Sequence, residues 1–185
     1  MKGIVFNLLQ EIVCAEHGED NWEEMLHKAG ANGAYTSLGN YPDAEFMDLV
    51  GAAASALAMT PDGIVLWFGR RALPLLAQKY PEFFEGHSTR SLLLSLNDII
   101  HPEVRKIYPD ADVPSFDYDT SLPDELLMSY RSRRMLCTLG QGLVEGAAAH
   151  YGEHATFEHL SCTRRGDAQC QFRIRFQARE AGPDA

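Results

Sequence analysis

The spacing of apolar residues changes after Pro109, and this change limits the chain to a few architectures. Before Pro109, apolar residues recur at the spacing of amphipathic helices, as Val5, Leu8 and Ile12 do. After Pro109 come two strand patterns, a helix and a final hairpin. Helices followed by a β-β-α-β-β order predict an α+β fold, with an N-terminal helical subdomain and an antiparallel sheet subdomain.

Capping residues and prolines set the boundaries of these elements. Thr60 followed by Pro61 predicts a helix start, and Asp20 is the predicted N-cap of the second helix. Pro102 disfavours helical geometry at His101, so we expect a distortion there. The predicted helices cover residues 3–15, 20–28, 43–58, 61–80, 91–101 and 136–151, and the predicted strands cover 114–119, 126–134, 156–163 and 169–176.

Length and charge narrow the class of protein. A chain of 185 residues suits one domain, which we predict over residues 1–178 with a disordered tail at 179–185. A formal net charge of -10 argues against partners such as nucleic acid or an anionic membrane surface. No signal peptide is visible after Met1, and the longest apolar stretch is too short to cross a bilayer. We therefore expect a cytoplasmic protein without membrane insertion, in which cysteines are reduced thiols or metal ligands.

A histidine and a polar triplet are the chemically informative residues. His101 ends an apolar helical run, and a buried imidazole there is a suitable ligand for iron, zinc or copper. In an extended strand, Tyr130, Ser132 and Arg134 would present two hydroxyls and a guanidinium to one side. Such a set binds carboxylate or phosphate groups. A metal ligand combined with a carboxylate-binding group fits haem, which has an iron and two propionates. The alternatives are a packed or capping histidine and the wet face of an edge strand.

These residues resemble a known family. The chain resembles the haem-nitric oxide/oxygen-binding (H-NOX) domain over nearly its whole length. Three motifs carry the resemblance: the segment His101-Pro-Glu-Val-Arg-Lys-Ile-Tyr, Pro114 thirteen residues after the histidine, and the Tyr-x-Ser-x-Arg triplet. The resemblance implies haem b between the two subdomains, with His101 on the iron, Pro114 distorting the porphyrin and the triplet binding the propionates. It implies a bacterial gas sensor rather than an enzyme.

The resemblance also predicts which gas is bound. Oxygen-binding members carry a tyrosine, a tryptophan and an asparagine that stabilise bound oxygen by hydrogen bonding. The matching positions here are Leu139, Leu9 and Ala72, none of which donates a side-chain hydrogen bond, and the nearby Val5 and Leu143 are also apolar. The chain thus resembles the members that select nitric oxide (NO).

The family resemblance implies a mechanism and a partner. NO weakens the bond trans to itself, so the bond between iron and His101 is expected to weaken or break, which frees the helix at 91–101 and lets Pro114 relax. Because the sequence shows no output domain, we expect the signal to reach a separate partner, and the resemblance implies a histidine kinase or a cyclic-di-GMP enzyme.

Three cysteines and a histidine form a second group. A three-residue loop centred on Gly166 would place Cys162 opposite Cys170, while the spacing of His159 requires a bulge or strand end to turn it to the same face. With Cys137 these residues suit a tetrahedral structural zinc. A reduced thiol pair and a cross-strand disulfide are the alternatives. Zinc-bearing H-NOX proteins carry the same Cys…His-x-x-Cys…Cys arrangement, so the resemblance implies zinc.

Two other functions remain compatible with the sequence. The segment Gly166-Asp-x-x-Cys170 before a strand also looks like vinyl-reductase-type ligand-binding domains, which leaves a zinc-stapled module that binds a small ligand without haem. A haem enzyme such as a peroxidase is a weaker alternative, because distal His and Arg residues are missing from recognisable positions.

Overall fold

The structure is a computed structural model that describes residues 1–177, so the predicted tail at 179–185 lies outside the described residues. It has seven α-helices and four strands in this range, in the predicted order, and confirms the α+β class. The helices are α1 (Gly3–His17), α2 (Glu19–Ala29), α3 (Asp43–Ala56), α4 (Pro61–Lys79), α5 (Thr89–Ser95), α6 (His101–Ile107) and α7 (Cys137–His150). The strands are β1 (Ser115–Asp119), β2 (Glu125–Arg131), β3 (His154–Ser161) and β4 (Cys170–Gln177).

Helices α1 to α4 share one apolar core, in which the rings of Phe6, Phe46 and Phe68 are fully buried or nearly so. The predicted start of α4 is confirmed, since the Thr60 side chain accepts a hydrogen bond from the Gly63 amide at 3.1 Å. The predicted cap at Asp20 is wrong. Helix α2 begins at Glu19, after Gly18 with φ of 89°, a conformation that glycine adopts without a steric cost.

No single helix within residues 1–177 has both the length and the apolar composition needed to cross a membrane. Only α3 and α4 taken together, with a bend of 103° between them, meet that requirement.

The four strands form one antiparallel sheet in the order β1-β2-β4-β3, as the β-β-α-β-β pattern predicts. Strand β1 is therefore an edge strand. Across the sheet, Tyr130 of β2 lies between Phe116 of β1 and Cys170 of β4. This register places two aromatic residues and the thiol of β4 side by side on three neighbouring strands.

Helix α7 joins the two subdomains by packing closely on α4. A Cβ atom on Gly142 would lie 2.5 Å from the Leu66 carbonyl oxygen and 2.9 Å from the Gly69 Cα atom. A side chain larger than hydrogen cannot fit there without moving the backbone. Helix α7 also presents Leu139 and Leu143 to the space between the subdomains.

The helix that carries His101 is longer than predicted and contains a π-turn. It begins at Thr89, where Ser88 and Ser91 form a capping box, and α6 extends it to Ile107. Between α5 and α6 lies a π-turn at Leu96–Ile100, in which the His101 amide donates to the Leu96 carbonyl. The distortion predicted at His101 is therefore found in the five residues before it.

Candidate functional site

Two adjoining cavities, of about 320 and 270 Å³, lie between the helical subdomain and the part of the chain that follows Pro109, and the larger one reaches the sheet. Both are lined mainly by apolar side chains, and they share part of their wall, formed by Met1, Leu76, Phe84, Ile100, Val104, Asp112, Val113 and Arg134. Together the cavities are in the size range of small-molecule and cofactor sites. They lie where the sequence predicts a cofactor.

His101 lines the larger cavity, and its ring centroid lies 5.7 Å from that of Phe116. Burial and the nearby Arg105 lower the pKa of His101 to about 4, while a hydrogen bond to the Pro114 backbone acts in the opposite direction. The imidazole is therefore neutral near pH 7, which is the form that binds metals. A ring N–H bonded to a backbone carbonyl is typical of metal-ligating histidines, because it orients the other nitrogen.

Tyr130, Ser132 and Arg134 also line the larger cavity, but they do not lie on one extended strand. Strand β2 ends at Arg131, so the alternation predicted over all three residues is wrong beyond that point. A turn follows, in which the Ser132 hydroxyl accepts from the Arg134 amide at 3.2 Å. The turn, rather than the pleat of a strand, brings the two hydroxyls and the guanidinium to the same cavity.

Arg134 is held in place by two carboxylates that sequence analysis missed. Its Nε donates to Asp43 at 2.9 Å, and its Nη1 contacts the carbonyl of Asp112 and, at 3.2 Å, that residue's carboxylate. Burial alone would raise the pKa of Asp43, but the Met1 ammonium and Arg134 lower it. Asp43 lies 91 residues from Arg134 in sequence, so no local spacing could have identified it.

The structure separates the other predicted cofactor-binding residues into two groups. Pro114, Leu139 and Leu143 line the larger cavity, and Val5 lines the smaller one. Leu9 and Ala72 are instead 0% and 2% exposed within the helical core, and they line neither cavity. Their influence on a bound gas stays a prediction.

The four predicted zinc ligands come together as predicted, with one potential ligand atom from each within 4.8 Å of the others. They are Cys137, His159, Cys162 and Cys170. The Sγ of Cys162 lies 3.7 Å from that of Cys137 and 4.0 Å from that of Cys170. The Nε2 atom of His159 is buried and has no hydrogen-bond partner among the described residues. A buried imidazole nitrogen without a partner, beside three thiols, fits a tetrahedral metal ion.

The local geometry of this cluster was partly predicted. A shift in the β3–β4 register between His159 and Ser161 agrees with the first of the two predicted alternatives, a bulge rather than a strand end. The predicted three-residue loop is wrong, because a 3-10 turn at Thr163–Arg165 and further residues connect Cys162 to Cys170. Gly166, with φ of 93°, lies in this longer connection.

Burial and hydrogen bonding shift the pKa values of Cys137 and Cys162 in opposite directions. Burial raises the pKa of Cys137 to about 12, so this thiol keeps its proton in the absence of a metal. Burial also acts to raise the pKa of Cys162, but hydrogen bonds from the backbone of Arg164 and Arg165 and from the other thiols lower it overall. Cys162 is thus better prepared than Cys137 to bind a cation as thiolate.

Comparisons with known proteins agree with this geometry. The haem-NO-binding family (HNOB) matches residues 2–159. An H-NOX protein from S. oneidensis in the Fe(II)NO state is 30% identical, with a TM-score of 0.90, and the match covers 96% of this chain and 100% of that one. A triple mutant of an H-NOX protein from S. oneidensis in the Fe(II) state is 31% identical, with a TM-score of 0.91 and full coverage of both chains.

A more distant structure shows the same fold. The Fe(II) unliganded H-NOX protein from K. algicida is 24% identical, with a TM-score of 0.84, and the match covers 99% of this chain and 100% of that one. No curated protein matches the chain significantly. On the family match and the solved structures together, the chain belongs to the H-NOX family of haem-NO-binding domains, which bind haem and gaseous ligands and act as sensors, not as enzymes.

Proposed function

We propose that this chain is a haem-based NO sensor in which His101 is the axial ligand of the iron. The observation that carries the proposal is that His101 and the Tyr130, Ser132 and Arg134 group line the same apolar cavity. The neutral imidazole suits the iron, and the guanidinium and hydroxyls suit the propionates. The S. oneidensis H-NOX protein in the Fe(II)NO state supports the choice of NO as a ligand.

Selectivity for NO is proposed from the side chains on α7 and α1. Leu139 and Leu143 line the larger cavity, Val5 lines the smaller one, and none of them can donate a hydrogen bond to a bound gas. Tyr80 and Tyr108 line the smaller cavity, where their hydroxyls share one hydrogen bond, and neither residue lines the larger cavity. Bound oxygen accumulates negative charge and needs a donor more than NO does, so this wall favours NO.

The chain's own residues supply the proposed signal. When bound, haem would supply a ferrous iron that takes up NO, and NO binding would weaken the bond between the iron and its protein ligand. His101 would be that ligand, and its release would free α6 from the cavity wall. We propose that this movement regulates a separate partner in the cytoplasm, either a histidine kinase or a cyclic-di-GMP enzyme. A tenfold change in the partner's activity requires a coupling free energy of about 1.4 kcal/mol.

A substitution on α7 tests the proposed selectivity. The unmodified ferrous protein should bind NO and form no stable complex with oxygen in air, as measured by absorption spectra. Leu139→Tyr places a hydroxyl donor at the cavity and should give an oxygen complex that persists in air. Leu139→Phe adds a ring of similar size without the hydroxyl and is the matched control. Equal oxygen binding by both variants, or by the unmodified protein, would contradict an apolar NO-selective pocket.

Arg134 offers a test of the propionate clamp. Arg134→Ala removes the guanidinium that we propose binds a propionate, so haem should dissociate about 10- to 150-fold faster, since hydrogen bonds to charged groups contribute about 1.5–3 kcal/mol. Transfer of haem to an excess of apomyoglobin measures the rate. Arg133→Ala is the control, because Arg133 also contacts Asp112 but its side chain is 87% exposed. Identical dissociation rates in the two variants would argue against the clamp.

We also propose that Cys137, His159, Cys162 and Cys170 hold a structural Zn²⁺. Thiolates and imidazole are the preferred ligands of zinc, and four protein donors close the site to substrate. The ion would tie the start of α7 to the β3–β4 hairpin. The unpartnered His159 Nε2 supports this proposal over a simple thiol pair, which would leave that nitrogen buried without a bond.

A further inference from the structure

The π-turn at Leu96–Ile100 determines where His101 points. Successive residues of an α-helix point about 100° apart, so five α-helical steps from Leu96 would leave His101 about 140° away from Leu96. A π-turn absorbs about one residue, which reduces this angle to about 40°. Leu96 and His101 both line the larger cavity, which agrees with the smaller angle. The wide turn therefore directs the imidazole into the cavity.

Asn97 connects this π-turn to the edge of the sheet. Its side-chain Nδ2 donates to the Phe116 carbonyl at 2.6 Å, and its Oδ1 accepts from the Phe116 amide at 3.2 Å. Strand β1 is an edge strand, so the outward N–H and C=O of Phe116 lack a neighbouring strand. The Asn97 amide group takes the place of a peptide unit of that neighbour. Both of its polar atoms are used, which fixes its orientation.

Two further contacts link β1 to the same helix. The Tyr118 hydroxyl donates to the carbonyl of Leu93, three residues before the π-turn begins. The ring of Phe116 lies 5.7 Å from that of His101. The residue whose backbone binds Asn97 thus also contacts the imidazole with its side chain. Strand β1 touches the helix before, within and after the π-turn.

Proline contributes to the same geometry. Pro102 has no amide hydrogen, and in a continuous α-helix its ring would also clash with the carbonyl of the residue four positions earlier. Continuing the α-helix through this point would therefore gain one hydrogen bond fewer than usual. The π-turn is stabilised by the side chain of Asn97 and the hydroxyl of Tyr118, while the α-helical alternative is weakened by Pro102.

We propose that Asn97 is a positioning residue that holds the π-turn against β1 and so directs His101 at the cavity. Loss of the pairing with Phe116 lets the segment approach α-helical geometry, which turns the imidazole away from the cavity. The π-turn is then the element with two arrangements that a gas signal can bias. This inference rests on the proposed function, because it takes His101 to be the iron ligand.

Asn97→Ala tests the inference in the haem-loaded protein. Resonance Raman spectra of the ferrous form should show a weakened or shifted Fe–His101 stretching band, and NO should displace His101 about 2- to 10-fold faster, the range expected for one net hydrogen bond. Asn7→Ala is the matched control, since Asn7 is also a half-buried helical asparagine with one side-chain hydrogen bond, to Ser37 at 3.0 Å. Tyr118→Phe, a milder second variant, should shift the band in the same direction.

Hydrogen–deuterium exchange separates this inference from the proposed function. In Asn97→Ala the Phe116 amide should exchange faster, whatever ligates the iron. A protein without an Fe–His101 band in its unmodified form would contradict the proposed function, while the exchange result would still report the pairing. Unchanged exchange at Phe116, or a band and a displacement rate equal to those of Asn7→Ala, would overturn the role of Asn97.

Discussion

His101→Gly is expected to eliminate the Fe–His band of the ferrous protein and to lower haem affinity at least about tenfold, which corresponds to about 1.4 kcal/mol. The reason is that His101 is the one histidine among the described residues that lines the larger cavity, where its neutral imidazole can ligate iron. Absorption and resonance Raman spectra of the reduced protein measure the loss. Added imidazole should restore a histidine-like spectrum by entering the space that the side chain leaves.

A second histidine provides the control for this substitution. His27 is exposed in the last turn of α2, and His27→Gly introduces the same flexible residue into a helix without touching the cavities. Its spectra should match those of the unmodified protein. If His101→Gly also retained the unmodified ferrous spectrum, His101 could not be the axial ligand, and the proposed mechanism would fail with it.

Removal of zinc should have the largest effect on stability. Cys162→Ala deletes a thiol whose Sγ lies 3.7 and 4.0 Å from those of the other two, so the variant should lose its zinc and roughly 3 kcal/mol or more of unfolding free energy, because metal binding is linked to folding. For a chain of this length, that corresponds to a melting temperature about 6–12 °C lower. Elemental analysis and thermal unfolding by circular dichroism measure the two effects.

Cys14→Ala is the matched control, since Cys14 is a half-buried free thiol in α1, outside the cluster. It should keep one zinc per chain and melt within a few degrees of the unmodified protein. A chelator should lower the melting temperature of Cys14→Ala and leave that of Cys162→Ala unchanged. Absence of zinc from the unmodified protein, with equal melting of both variants, would rule out a structural metal.

Sequence reasoning worked best where one residue and its near neighbours decide the structure. The Thr60-Pro61 helix start depends on side-chain and backbone groups a few residues apart, and it is confirmed. A bulge or strand end at His159 was predicted because strand residues alternate faces and His159 has the wrong parity to join Cys162. Both arguments need only local geometry.

Sequence reasoning failed where a contact between residues far apart in the sequence determines the local geometry. The π-turn depends on Asn97 meeting Phe116, 19 residues later, and neither residue shows this partnership in its own surroundings. Arg134 depends in the same way on Asp43. Helical spacing places Leu9 on a buried face, where the structure has it, while the influence on a bound gas that the family resemblance implies for Leu9 stays a prediction. The full π-turn and the setting of Arg134 therefore emerge only once the sheet and helices are packed.

The backbone contact between Gly69 of α4 and Gly142 of α7 limits how the two subdomains can move. Neighbouring helices slide past each other when side chains can exchange rotamers, but here main chain faces main chain and little can rearrange. We expect the two subdomains to rotate about this contact rather than to slide past each other. A partner protein would then detect a change of angle between the sheet and the helical layer, and the displacement would be greatest at the surfaces farthest from these two glycines.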